Sequence, residues 1–348
     1  MEGSLPLLVK NGVVIQPSNA APVSAFLQTY SGAYTTFRTH ENASYVMFWE
    51  RHLRRLVQSV EILGERRPDL YPLKCRFESS WDIFIRPLVD SSLKNGLALA
   101  LKKRKHGEEL AITSLVHGTT DQPDDDSVVR PCDVYVHIGG YLPMKFGLSD
   151  SAACLALVGQ SREIAMSKFS EWARTRKYLE KLRAPLVTEL LLSNDGDHIL
   201  EGTVTNFFVV CRRDMNQMSD EGPTNPNNMH PYVVQTAPLN DGVLPGVIRQ
   251  IVLEICSSMG IPFCEVAPSW SKHGIWVEAF VTNSLRLVQH VKRIQVPSSW
   301  EGLQSKSWEE VSWEMKDFKG GGFITSLIQA ELMKRVSSEG YSVTKLRR

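Results

Sequence analysis

The stretch "LLLSNDGDHILEGTVTNFFVV", residues 190–210, decides how this chain is read. Two apolar runs flank Ser-Asn-Asp-Gly-Asp, a composition that turns the backbone, and so the segment predicts a β-hairpin. Its second arm carries an acid, Glu201, followed at once by Gly202. On an extended strand Glu201, Thr203 and Thr205 share one face, while Leu200, Gly202, Val204, Asn206 and Phe208 take the other. Three polar side chains on one face need water or a polar partner above them. A solvent-facing edge is the ordinary solution. The almost wholly apolar partner arm, "ELLLSN", points instead to a sheet covered on both sides.

Downstream, a polar loop over 214–230 leads to a strand "PYVVQT" and then to "LNDGVLPGVIRQIVLEICSSMG". In the last segment Val247, Ile251, Val252, Ile255 and Met259 keep helical spacing. Leu-Pro-Gly supplies an extended residue, a proline and a small residue just before the first free N–H groups, those of Gly246, Val247 and Ile248, a helix start suited to an anion. Strands "FCEVAPS" and "EAFVTNSLRLVQHV" and a C-terminal helix "FITSLIQAELMKRV" follow. The tryptophan-rich stretch 296–322 reads as a loop without assigned function.

Upstream, residues 7–38 read as short strands. "YVMFWERHLRRLVQSVEILGERRP" is a helix ended by Gly64 and closed by Pro68. With Phe48 at zero on a wheel of about 100° per residue, His52, Arg55, Leu56 and Leu63 fall on one face, and Arg54 points to solvent. A buried guanidinium at Arg55 must find an anion, either a protein carboxylate or a ligand. A second helix, "SSWDIFIRPLVDSSLKNG", is expected to give way to strands "LALALKK", "ELAITSLVHG" and "DVYVHIGG". The acidic run 119–131 reads as a surface connector. "YLPMKFGLSDSAACLA" begins as a turn and is expected to become helical, which places a boundary near 145–150 and gives lobes 1–147 and 148–348.

With 348 residues, 43% hydrophobic and 22% charged, the chain is long enough for two packed lobes. Its 39 basic and 38 acidic residues leave a net charge of +1. No global field therefore favours nucleic acid or an anionic membrane, and a small-molecule partner is expected. The six cysteines show neither Cys-x-x-Cys pairs nor zinc spacing. They read as reduced thiols in a cytoplasmic protein without metal, and neither a signal-peptide core nor a membrane span is expected.

"LLLSNDGDHILEGTVTNFF" followed by "LPGVIRQ" resembles the class IV, fold-type IV pyridoxal-phosphate enzymes, which include branched-chain and D-amino-acid aminotransferases and aminodeoxychorismate lyase. "GAYTTFR" (32–38), "HLRRL" and "FVTNSLRLVQHV" extend the likeness in order, and "TNSL" looks closest to the lyase-like branch. The resemblance implies an α+β, two-lobed fold with a small N-terminal α/β lobe and a larger C-terminal β-barrel-like lobe flanked by helices. It implies pyridoxal 5'-phosphate as cofactor, amino acid and 2-oxo acid as substrates, and a homodimer.

By the same resemblance the Schiff-base lysine falls on Lys168, ahead of Lys177, and the carboxylate at the pyridine nitrogen on Glu201. The phosphate arginine falls on Arg55, the phosphate-binding amides on Val247 and Ile248, and a hydroxyl donor on Ser284, with Thr205 a further hydroxyl candidate. Two positions depart from the branched-chain pattern. Ala173 stands where those enzymes carry a tyrosine, and Thr35 where they carry a glutamate. Arg86 of "IRPLV" copies a branched-chain strand motif, but it lies in a helix here and is not carried over. Aminotransfer is the expected activity, with a carbon–carbon lyase or a cofactor-binding protein of little turnover as the alternatives.

Overall fold

The computed structural model describes residues 5–15, 21–71, 80–119, 131–213 and 231–346. The N-terminal half runs β1 (Leu7–Lys10), β2 (Val13–Ile15), α1 (Val23–Thr29), β3 (Ala33–His40), β4 (Tyr45–Val46), α2 (Trp49–Arg66), α3 (Trp81–Lys103), β5 (Glu109–Gly118) and β6 (Cys132–Tyr141). The chain continues through β7 (Ala153–Gly159), α4 (Trp172–Thr175), β8 (Glu189–Leu192), β9 (Glu201–Gly202), β10 (Asn206–Arg212), β11 (Tyr232–Thr236) and α5 (Val247–Ser258). It closes with β12 (Phe263–Glu265), β13 (Trp276–Asn283), β14 (Leu287–Pro297), β15 (Trp313–Asp317), α6 (Phe323–Glu339), β16 (Tyr341–Ser342) and α7 (Val343–Leu346).

Two compact units form, each discontinuous in sequence. The first comprises Met1–Pro143, Met166–Thr175 and Arg335–Arg348, the second Met144–Ala165 and Arg176–Lys334. The chain thus changes unit after Pro143, Ala165, Thr175 and Lys334, where the sequence reading has one boundary, after residue 147.

The first unit is built on a sheet in the order β16-β4-β3-β5-β6-β1-β2. Amphipathic α2 buries Leu53, Leu56, Val60 and Leu63, one per turn, and α3 buries Ile85, Val89, Leu93, Leu97 and Ala100. The expected strand "LALALKK" is therefore the last two turns of α3. Its Leu97 and Ala100 satisfy the helical spacing set by Leu93 as well as a strand's alternation. A side chain at Gly96 would come within 2.7 Å of Ile138, so the bare residue lets α3 lie close on the sheet. Helix α2 runs through Gly64 to Arg66.

In the second unit β10, β13, β14, β7, β8 and β9 are neighbours in that order, and β9 pairs with both β8 and β10, closing a six-stranded barrel. Closure removes the free edges of a small sheet. Leu155, Leu157, Leu191, Phe207, Val209, Val281 and Ile294 are completely buried in one apolar cluster. The segment around 153–159, expected to be helical, is strand β7, parallel to β8 and β14. Its burial runs almost unbroken along the strand and leaves no polar face for a surface helix.

The tryptophan-rich stretch covers this cluster. Trp300 packs against it, and Trp313 opens β15, which pairs with β14. The acidic run 119–131 falls almost entirely outside the described residues, as does the loop 214–230. Cys132, Cys154, Cys211, Cys256 and Cys264 are free thiols. Burial pushes Cys132, Cys211 and Cys256 up to about 12, which keeps them protonated and unreactive.

Candidate functional site

Arg55 lies on the buried face of α2, as the wheel predicts, and Arg54 is exposed. One turn earlier on that face stands His52, completely buried. Both reach one hydroxyl on β3. Arg55 Nη2 donates to Thr35 Oγ1 at 2.8 Å, and His52 Nδ1 lies 2.9 Å from the same oxygen. Burial, followed by the charges of Arg55 and Lys168, holds the His52 imidazole well below its ordinary range, so the ring is neutral at pH 7. Its Nε2 is buried with no hydrogen-bond partner among the described residues.

Lys168 belongs to the same unit although it follows residue 147 in sequence, because the segment 166–175 returns to the first sheet. Its backbone is strapped on two sides. The amide donates to Ser59 Oγ on α2 at 3.2 Å, and the carbonyl accepts the Tyr34 N–H of β3 at 2.8 Å. The ammonium sits 4.7 Å from the centre of the Tyr34 ring, a cation–π contact worth about 0.5–1 kcal/mol at sites of this kind. Lys177 is exposed on a short 3-10 helix in the second unit. Ala173 is buried against Phe26, Leu27, Tyr34 and Tyr135, and so serves the first unit's apolar packing. Arg86 is an α3 residue paired with Glu50 at 3.1 Å near the surface.

Glu201 is 1% exposed, which excludes the solvent-facing edge. The single extended strand drawn for 199–210 is corrected, because β9 ends at Gly202, residues 203–205 bend, and the chain returns as β10 with Asn206 opposite Glu201. Gly202 permits this bend by close approach. A side chain there would overlap Thr205 Oγ1 and come within 3.1 Å of Glu189 Cγ.

The carboxylate of Glu201 accepts hydrogen bonds on both oxygens. Arg162 Nε and Nη2 reach Oε1 at 2.8 and 2.5 Å, and the Leu244 amide and Asn206 Nδ2 reach Oε2 at 3.1 and 3.4 Å. Arg162 is itself 9% exposed, so this is a buried, charge-assisted pair. Asn206 also donates to the Leu244 carbonyl at 2.9 Å. The glutamate motif and the Leu-Pro-Gly motif, 43 residues apart, thus lock into one structure.

Helix α5 begins at Val247 without a side-chain cap, and Val247 and Ile248 are buried. Gly246 is bare because a side chain would overlap Asn206 Oδ1. Thr205 Oγ1 is buried without a hydrogen-bond partner among the described residues. Ser284 lies in the turn between β13 and β14, which Asn283 ties to the 203–205 bend by donating to the Val204 carbonyl at 3.4 Å.

The first unit therefore gathers Arg55 and Lys168. The second gathers Glu201, Thr205, Val247, Ile248 and Ser284 at linked turns. Sequence reasoning missed Arg162, Asn206 and the Leu244 amide. Nothing in the spacing of "GQSREIAMSK" marks its arginine as buried, whereas His52 is visible on the buried face of the α2 wheel.

Comparison with solved structures gives the fold. A branched-chain aminotransferase from Thermoproteus uzoniensis, solved with norvaline, aligns at a TM-score of 0.65 with 20% identity, over 98% of this chain and 100% of that one. A hypothetical aminotransferase from Mycobacterium tuberculosis, in its PLP-bound form, aligns at 0.60 with 13% identity, over 96% and 100%. A fold IV transaminase from Curtobacterium pusillum aligns at 0.57 with 13% identity, over 96% and 99%. No curated protein sequence matches this chain. Residues 32–294 match the family described as amino-transferase class IV. With about three quarters of its length inside that match, and with a closed barrel beside a fixed, buried acid, the chain belongs to the class IV aminotransferases, pyridoxal-phosphate enzymes that move an amino group between an amino acid and a 2-oxo acid.

Proposed function

We propose that Lys168 is the lysine that binds pyridoxal phosphate covalently in this enzyme, and that Arg55, Glu201, Thr205, Val247, Ile248 and Ser284 hold the rest of the cofactor. The observation that carries the reading is the separate pre-organisation of each group. Lys168 is strapped to α2 and β3 beside Arg55, and Glu201 is fixed by a buried arginine and by the Leu-Pro-Gly turn. The polar atoms fit the cofactor's chemistry. The uncapped start of α5 and the Arg55 guanidinium suit a phosphate, and the partnerless Thr205 hydroxyl suits a further hydrogen bond.

When bound, pyridoxal phosphate supplies the electron sink that stabilises negative charge at the substrate Cα. The chain's own work is to orient and to move a proton. The Glu201 carboxylate favours a protonated ring nitrogen beside it, and Arg162 keeps that acid in one position. The Lys168 amine takes the proton from the substrate Cα and returns it at the other end of the exchange. Arg55 and the Val247 and Ile248 amides anchor the phosphate by charge-assisted hydrogen bonds, which limits motion of the ring.

The enzyme is proposed to act as a homodimer in the cytoplasm. Among the described residues no helix is long and apolar enough to cross a membrane. The match to the class IV amino-transferase family supports aminotransfer over the lyase chemistry to whose branch "TNSL" looks closest. Incubating purified protein with pyridoxal phosphate, an amino-acid panel and 2-oxo acids tests the assignment. Amino transfer by the wild type and its loss in Lys168→Ala are the expected results. Full transfer activity in that variant would refute the role of Lys168.

A further inference from the structure

A second buried carboxylate stands next to the Glu201 hairpin and has no part in the roles above. Glu189, the first residue of β8, is 1% exposed. Its Oε1 accepts the Thr203 hydroxyl at 2.6 Å and the Leu190 amide at 3.0 Å. Its Oε2 is buried without a hydrogen bond among the described residues, with Arg286 Nη1 3.9 Å away. A carboxylate placed so deep is costly unless it is met by donors and a counter-charge. Besides the Leu190 amide of β8 itself, those come from two different turns.

Thr203 belongs to the bend that separates Glu201 from Asn206 and carries Thr205. Arg286 belongs to the turn that carries Ser284, and its amide is held by Asn283 Oδ1 at 2.8 Å. Asn283 in turn reaches the Val204 carbonyl at 3.4 Å. Gly202, between the two carboxylates, leaves the room that brings the Thr203 hydroxyl over Glu189.

We propose that Glu189 is a positioning residue of the cofactor site: one buried carboxylate that clasps the 203–205 bend through Thr203 and draws in the Ser284 turn through Arg286. It touches no reacting atom and acts through the placement of Thr205 and Ser284. The proposal rests on the cofactor roles given above to those two hydroxyls.

The test uses the full-length enzyme stripped of cofactor and reloaded. The dissociation constant of pyridoxal phosphate is measured by absorbance titration for wild type, Glu189→Ala, Glu189→Gln, Thr203→Val and the Glu189→Ala/Thr203→Val double variant, together with the thermal midpoint of each apoenzyme. Loss of a hydrogen bond to a charged group predicts that Glu189→Ala and Thr203→Val each weaken binding about tenfold. The double variant should be no worse than Glu189→Ala alone, because that variant already removes the Thr203 contact together with the Arg286 one. Glu189→Gln, which keeps an oxygen facing Thr203, should recover most of the affinity. A general structural role would lower the apoenzyme midpoint without this pattern.

Independent, multiplicative losses, or wild-type affinity in a folded Thr203→Val enzyme, would overturn the clasp, and the second result stays decisive if Glu189→Ala does not fold. Failure of the wild type itself to take up pyridoxal phosphate would instead overturn the cofactor assignment on which the clasp rests.

Discussion

Lys168 and Glu201 are fixed by different means. The lysine is placed through its backbone, tied to Ser59 and Tyr34, and its ammonium lies over an aromatic ring. The glutamate is placed through its side chain, which meets a buried guanidinium, a main-chain amide and an asparagine. A group held by its backbone can lose its side-chain head with little harm to the fold. A group held by charge leaves a partner stranded when it goes. Chemistry and stability should therefore separate at the first position and fall together at the second.

The largest effect is expected at the backbone-held residue. Lys168→Ala removes the proposed proton carrier and covalent anchor, so the amino-transfer rate should drop by about 10³-fold or more while the thermal midpoint changes little. Rates are read by product formation and stability by calorimetry. A large stability loss in this variant would erase the contrast with Glu201.

With Glu201 in its proposed role beside the ring nitrogen, Glu201→Gln should lower kcat about 10²-fold through loss of its charge. It should also destabilise the protein by up to about 3–5 kcal/mol, because Arg162 is left buried beside a neutral group. A stable Glu201→Gln enzyme with unchanged kcat would show that the buried pair serves neither purpose.

Arg55→Lys keeps the charge but loses the planar fork that meets Thr35 and, in the proposed role, a phosphate. Cofactor affinity should weaken by about 1.5–3 kcal/mol, or roughly 10- to 150-fold, at nearly constant kcat once saturated. Wild-type affinity in that variant would place the phosphate elsewhere.

The smallest effect belongs to His52. Its folded-state proton affinity is depressed by burial and then by Arg55 and Lys168. In the unfolded chain the imidazole takes a proton near pH 6.5, the ordinary value, so below that pH the unfolded state binds more protons than the folded state. Stability is therefore present in full above about pH 6.5 and is lost as pH falls below it, by up to about 1.4 kcal/mol per pH unit from this one group. Denaturant titrations at about pH 7.5 and 5.5, either side of the ordinary imidazole value, should show that slope reduced in His52→Gln. An equal slope in both proteins would mean that His52 is not the buried neutral group described.

Much of this is legible in the residues because it rests on periodicity and turn chemistry. The wheel places Arg55 inside and Arg54 outside, and the apolar spacing from Val247 marks α5 correctly. Where two periods fit one run, local pattern fails. "LALALKK" alternates like a strand yet continues the Leu93, Leu97, Ala100 stripe of a helix, and only the sheet beneath α3 chooses. The Glu201 arm reads as one strand because its bend has no proline or Asn-Gly signal, only Gly202 packed against Thr205.

Arg162, Asn206 and Glu189 escape for a different reason. Each matters through a partner 14 to 39 residues away that its own segment does not signal, and such pairs form only when the barrel closes. The resemblance supplies the roles of Lys168 and Glu201. The structure supplies what holds them.

Reducing the cofactor-loaded enzyme with borohydride and mapping the modified peptide by mass spectrometry tests the assignment of the covalent lysine most directly. A single pyridoxyl-phosphate adduct on Lys168 is the predicted result. An adduct on Lys177 or another lysine, or none on a fully loaded protein, would contradict it.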